Sequence, residues 1–212
     1  APADLAASAG SFFDSSGKLV PGGALEVGVR AFGLAKRTSA AEYEASAAKR
    51  VWANSFFSVA TAQDPVTGDL WIADVGYQLI EEINRLPADE VESGADFGWA
   101  AMEGSVEFNG PEPDGHVRPV HEYRHDGIGT RCSVIGGVVV RGGSLPGLEG
   151  AYLFSDFCDG AIRALRHSKE GAELEVLDLG VTIEWPVSFS RLEDGTVYVL
   201  SLAGGVFRLD PT

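Results

Sequence analysis

Cationic side chains are scarce in this sequence. Its 212 residues hold 16 Lys+Arg against 31 Asp+Glu, a formal net charge of −15. A chain this acidic is repelled by phosphate backbones, which argues against nucleic acid as a partner and leaves cations and neutral ligands. Long hydrophobic runs are missing as well. The longest, around Val138 to Val140, is far too short to span a bilayer. The first residues, Ala1-Pro2-Ala3-Asp4, carry neither the charged nor the apolar region of a signal peptide, as expected of a mature form or of a piece of a longer chain. No phosphate-binding loop, nucleophile elbow or dinucleotide fingerprint is present. Cysteine is limited to Cys132 and Cys158, too few for a structural zinc site unless histidines join them.

What is there reads as globular: 45% apolar residues, 22% charged, and a mean hydropathy of +0.04. The 27 glycines and 10 prolines are scattered, which breaks long helices and favours short strands joined by turns. Residues 1–50 form an irregular segment with one apolar stretch, Leu25 to Leu34. It closes on a short helix near 39–50, where Ser39-Ala40-Ala41-Glu42 has capping-box spacing and Lys49-Arg50 suit the C-terminal end. Residues 51–212 then supply strand-like pieces: 56–62, 70–75, 82–86, 133–141, 151–155, 161–165, 174–179, 187–191, 196–200 and 206–209.

A weak repeat runs through them. Gly68 to Gly76, Gly150 to Gly160 and Gly195 to Gly204 each hold a glycine, a buried-type strand and a closing glycine. The copies start 82 and 45 residues apart, as if one degenerate unit lay between the first two. A period of about 40–45 residues is that of propeller blades, each needing a neighbour to cover its faces. The expected fold is therefore an all-β propeller of four-stranded blades, with three to four present. That is too few to close a ring, so a partner protein is expected on the open blade faces.

Several motifs need weighing. His121-Glu122-Tyr123-Arg124-His125 matches the zinc-protease helix motif, but Pro119 before it and Gly127 and Gly129 after it favour an extended segment. Asp69, Asp74, Asp156, Asp159 and Asp194 recur at the expected turns; they suit either calcium or ordinary turn chemistry, and turn chemistry is the simpler account. Trp52, Trp71, Trp99 and Trp185 are expected in blade cores, with Trp99, in a loop after a glycine, also suited to stacking on a sugar. The two cysteines either form a bridge or remain buried thiols. A bridge would close a loop of about 27 residues, worth roughly 3.5 kcal/mol in the chain-entropy model.

Four strings resemble the glucose/sorbosone dehydrogenase family, a group shared with hedgehog-interacting-protein-like propellers. They are DPVTGDLWIADVGYQLIEEIN from Asp64, ADFGWAAMEG from Ala95, the stretch from Pro119 to Leu165, and DGTVYVLSLAGGVFRL from Asp194. The resemblance covers residues 51–210 and implies the C-terminal half of a six-bladed propeller, a Cys132–Cys158 bridge and an oxidising compartment: secreted, periplasmic or luminal. It also implies a function: some members use pyrroloquinoline quinone (PQQ) and calcium to oxidise aldose sugars.

The residues that the resemblance assigns are uneven. Gly76 and Tyr77 match the place where backbone carbonyls hold calcium. Lys36 and Arg37, in Gly33-Leu34-Ala35-Lys36-Arg37, are the nearest match to a cofactor-facing arginine, and with Trp99 they are the candidate cofactor-binding residues. No residue matches the family's catalytic histidine. Where cations hold the quinone carboxylates, this chain has Cys158-Asp159 and Glu184-Trp185-Pro186, which removes charge-assisted bonds that a tricarboxylate needs. Calcium is thus an expected ligand and PQQ a disfavoured one. The expected role is a non-catalytic recognition or assembly propeller, with carbohydrate as a further candidate ligand. The alternative is part of a PQQ- and calcium-dependent aldose dehydrogenase.

Overall fold

The computed structural model describes residues 59–92, 94–126, 130–168 and 174–211. All lie in one compact unit, Lys49–Thr212. The expected helix near 39–50, Trp52, Lys36 and Arg37 fall outside the described residues.

Three larger antiparallel sheets and one two-stranded ladder make up the described chain. The first has the order β1 (Val59–Gln63), β2 (Leu70–Asp74), β3 (Ile80–Leu86) and β6 (His121–Arg124). Between β3 and β6 runs a long excursion that carries the two-residue strands β4 (Met102–Glu103) and β5 (Val106–Glu107). The second sheet is β7 (Val134–Val139), β8 (Tyr152–Asp156), β9 (Ala161–His167) and β10 (Leu174–Thr182), paired in chain order. The third is β11 (Pro186–Arg191), β12 (Val197–Ser201) and β13 (Gly205–Leu209), with three strands among the described residues.

The first strand of each sheet packs on the next sheet's first strand: β1 on β7, and β7 on β11. This is the side-by-side stacking of propeller blades. The three glycine-led repeats open the second strand of each sheet, β2, β8 and β12. Gly68, Gly150 and Gly195 all take positive φ, from 81° to 86°, which a side chain rarely adopts. The expected degenerate unit is not a blade. Its residues are the excursion between β3 and β6, which lengthens the first sheet's own path.

Two cores hold the stack. Between the first and second sheets lie Trp71, Ala73, Ile83, Val134, Tyr152 and Phe154, with Trp71 stacked on Tyr152 at 4.8 Å. Between the second and third lie Leu153, Ile162, Ala164, Phe189, Val197 and Val199. Strand β8 alternates between the two cores, so it is buried along its whole length. Gly136 lets the sheets approach: a Cβ there would lie 2.3 Å from the Ala60 Cβ. At Gly137 it would meet the Leu153 carbonyl oxygen at 1.5 Å, beside a register shift in the β7–β8 ladder. Opposite the turn that opens β2, the Arg141 guanidinium grips both oxygens of Asp64 at 3.0 and 2.7 Å and joins the second sheet to the first.

Two core expectations fail. Trp99 stands half-buried in the excursion, outside both cores. Trp185 is 48% exposed, at a bend before β11 with φ of 48°. The chain turns there too sharply for the indole to enter the sheet stack. Trp71 is in the core as expected.

Candidate cation site

Strand register brings together three acids far apart in sequence. Asp74 on β2 pairs with Glu82 on β3, and Glu82 pairs with Glu122 on β6. Neighbours in such pairs sit about 5 Å apart at Cβ, and like charges placed so repel. Glu82 is buried. Burial, joined by the charges of Asp74 and Glu122, pushes its carboxyl up to about 7, against the lowering effect of hydrogen bonds from Asn84 and the Gly104 amide.

Around this row stand acceptors without donors. The Asn84 amide nitrogen donates to Glu82 at 2.8 Å, while its Oδ1 has no hydrogen-bond partner in a fully buried residue. Glu103, 4% exposed, accepts from the amides of Gln78, Leu79 and Ile80 through Oε1, at 2.7, 2.6 and 3.2 Å. Its Oε2 is buried and unpartnered. Glu122 is fixed by the amide and hydroxyl of Ser105. Oxygen ligands are what a hard divalent cation takes, and this row offers them, although no three of its carboxylates bring their oxygens to one point as the side chains stand.

The expected calcium position, Gly76 and Tyr77, adjoins this row through Glu103, which holds the turn from Gln78 to Ile80. Gly76 is tightly enclosed: a Cβ would lie 1.9 Å from the Ile80 carbonyl oxygen and 2.8 Å from Glu103 Oε1. Its amide donates to the buried Glu81 at 3.4 Å. Glu81 projects to the other face of β3, where it accepts from the Val134 amide and contacts His125 Nδ1 at 2.8 Å. Burial raises its pKa against those bonds.

Tyr77 belongs to a ring cluster with Trp99 and Phe108, with centroids 5.6 to 5.9 Å apart. The zinc motif dissolves. His121 to Arg124 is strand, so the two histidines stand about 13 Å apart along an extended chain. The His121 ring lies against Phe154, His125 against Glu81, and Glu122 on the opposite face.

Cys132 and Cys158 are bridged, with Cα atoms 5.7 Å apart. The buried Asp156 sits beneath the bridge. It accepts from the amides of Cys132, Ser133 and Cys158 and from the Tyr123 hydroxyl. Desolvation and that bond drive the Tyr123 pKa far upward. The sulfurs are joined, so the Cys132–Asp156–Cys158 group offers no thiolate to a metal. The other recurrent aspartates do structural work. Asp159 pairs with Arg163 and Asp69 with Arg85, while Asp194 accepts from the Thr196 amide. At the far end of β2 a cleft of about 340 Å³ is lined by Asp64, Asp69, Arg85 and Arg141, whose charges are engaged with one another.

At the positions that the resemblance aligns with quinone-holding cations, Cys158 is in the bridge, Asp159 is paired with Arg163, and Glu184-Trp185-Pro186 carries no cationic side chain. Sequence reading singled out Asp74, and Glu122 only as part of a zinc motif, but missed Glu82, Asn84 and Glu103. The signal was available in β3, where Glu81, Glu82 and Asn84 stand among Ile80, Ile83 and Leu86, since a strand buried on both faces tolerates a carboxylate only with a partner.

No family model matches the chain. Among solved structures, a glucose dehydrogenase superposes with a TM-score of 0.53 at 18% identity, over 72% of this chain and 44% of that one. The PQQ-bound aldose sugar dehydrogenase of Streptomyces coelicolor gives 0.48 at 14% identity, over 68% and 37%. The apo soluble aldose sugar dehydrogenase of Escherichia coli gives 0.49 at 18%, over 66% and 40%. The chain spans less than half the length of each. The glucose dehydrogenase match shows the fold: the three stacked sheets are a partial propeller of the sugar-dehydrogenase type.

Proposed function

We propose that this chain is a calcium-holding part of a sugar-dehydrogenase-like propeller, serving recognition or assembly and not sugar oxidation. The buried Glu82, paired in register with Glu122 and beside the unpartnered oxygens of Asn84 and Glu103, carries the calcium reading. A bound Ca²⁺ would draw Glu82 and Glu122 together and give the orphaned oxygens of Asn84 and Glu103 a partner. It would thereby tie β3 and β6 to the excursion. Carbonyls of the Gly76–Tyr77 turn, linked to the row by Glu103, belong to the same proposal.

The recognition reading is supported by the mismatch to a quinone and by an open apolar surface. Trp185, Leu200, Leu202 and Val206 are exposed on the third sheet, the last two at 66% and 65%. A patch of this kind is normally covered by another polypeptide. The disulfide suits an oxidising compartment. Among the described residues no helix is long and apolar enough to cross a membrane.

A second reading is favoured by the fold match: part of a PQQ- and calcium-dependent aldose dehydrogenase, its base and quinone-holding cations lying outside the described residues, Lys36 and Arg37 among them. One experiment separates the two. The purified chain is mixed with PQQ, calcium, an aldose and a redox dye. Dye reduction above the protein-free rate would end the recognition reading. Calcium itself is tested by calorimetry, where the wild type is expected to bind and Glu82→Gln to lose most of the heat. Equal titrations would sink the calcium assignment.

A further inference from the structure

We propose that Asn109–Gly110, just past the excursion's short ladder, is a site of spontaneous deamidation that loosens the excursion as the protein ages. Two successive amides, those of Phe108 and Asn109, donate to the same Ala101 carbonyl, at 2.7 and 3.1 Å. They fix the chain as far as Asn109 and no further. The Asn109 side chain is exposed, and among the described residues neither it nor the Gly110 amide has a hydrogen-bond partner. Gly110 has no Cβ to hold its nitrogen away from the preceding side chain. The space beside it is open as well: a methyl there would touch only Ala101, from 3.6 Å outward.

The reaction needs only hydroxide and water. Once hydroxide has removed its proton, the Gly110 nitrogen attacks Asn109 Cγ. A new C–N bond forms there, the bond from Cγ to the side-chain nitrogen breaks, and that nitrogen takes a proton from water and leaves as ammonia. Water then opens the cyclic imide at either carbonyl, leaving aspartate or isoaspartate; nothing is oxidised or reduced. The isoaspartate form carries the main chain through one extra carbon beside the two amides bound to Ala101, which puts those bonds out of register. Asn84, the other asparagine among the described residues, is protected. It is buried, its side-chain nitrogen is held by Glu82 at 2.8 Å, and arginine follows it.

The test incubates the folded, disulfide-intact chain at mildly alkaline pH, digests it with trypsin and follows the peptides by mass spectrometry. The peptide from Leu86 to Arg124, whose Arg118–Pro119 bond resists trypsin, holds Asn109 as its single amide side chain. Exchange of NH for O in it therefore reads Asn109 alone, since Asp114–Gly115 in the same peptide can isomerise only without a change in mass. Wild type should convert to two chromatographically separate products of equal mass, while fragment spectra show Asn84 still amidated. Gly110→Ala should convert about tenfold more slowly. If that variant melts early, Asn109→Gln, whose longer side chain closes the ring poorly, takes its place and should keep its mass. In the aged protein the Phe108 and Asn109 amides should exchange with deuterium faster than in fresh protein. Conversion of Asn84 at the rate of Asn109, equal rates in wild type and a well-folded variant, or an Asn109 that stays intact while the unfolded chain converts overturns the site. Unchanged exchange in the aged protein overturns the loosening.

Discussion

Replacing Asp64 with asparagine removes the carboxylate that Arg141 grips across the first two sheets. Asp64 is 3% exposed, so little water screens the pair. Burial alone would raise its pKa. Hydrogen bonds from Arg141, the Val66 amide and Thr67, together with the Arg141 charge, outweigh burial and hold it at about 2, below the ordinary 3.8. That difference is worth about 2 kcal/mol of folding stability. The sign follows from the direction. A depressed acid contributes fully above the unfolded value, and the contribution fades as pH falls through 3.8 toward 2. Urea unfolding of wild type and Asp64→Asn, followed by the fluorescence of Trp71 at the same junction, should therefore show a gap of about 2 kcal/mol at neutral pH. By pH 2 the gap should have largely closed. A gap that keeps its size at every pH would refute the electrostatic argument and point to altered packing. A gap below about 0.5 kcal/mol would mean that the pair behaves as an exposed one.

Glu103→Ala leaves the Gln78, Leu79 and Ile80 amides without their acceptor and should cost about 3 kcal/mol. Hydrogen exchange at those three amides should accelerate, and unchanged exchange would deny Glu103 its role in the turn. Gly136→Ala forces a methyl against Ala60 and should destabilise by about 2–3 kcal/mol in thermal melts. Gly115→Ala, which meets nothing within 4 Å, should cost only about 1 kcal/mol for its φ of 76°. Calcium at a hundredfold excess over its dissociation constant should add about 2.7 kcal/mol to wild-type stability. Chelator should reverse the gain, and a Glu82→Gln protein that gains as much as wild type would place the ion elsewhere.

Strands were the legible part of this sequence, because alternation and glycine turns are local signals. Every strand-like piece among the described residues became a strand, and the glycine-led repeats marked the middle of each sheet. The failures share one cause: they depend on relations that spacing does not encode. The 82-residue gap suggested a blade, yet residue counting cannot tell a new sheet from a detour within an old one. Trp185 was expected inside because indole is large and apolar, but a left-handed backbone bend decides where it points. Strands β4 and β5, two residues each, are too short for periodicity. The acid row was the least legible feature, since Glu82 and Glu122 meet only through the pairing of β3 with β6 across the excursion. The cysteine pairing came from family resemblance; spacing alone left the thiols undecided.

Asp156 has a consequence for how the chain matures. Its one buried anion gathers the backbone of both half-cystines, along with Ser133 and a phenol from the neighbouring sheet. Those bonds need no oxidant, so a newly made, still reduced chain can draw its two thiols together while it folds. The bridge therefore joins two segments whose backbones the same carboxylate also holds, and the reduced chain is expected to keep this junction.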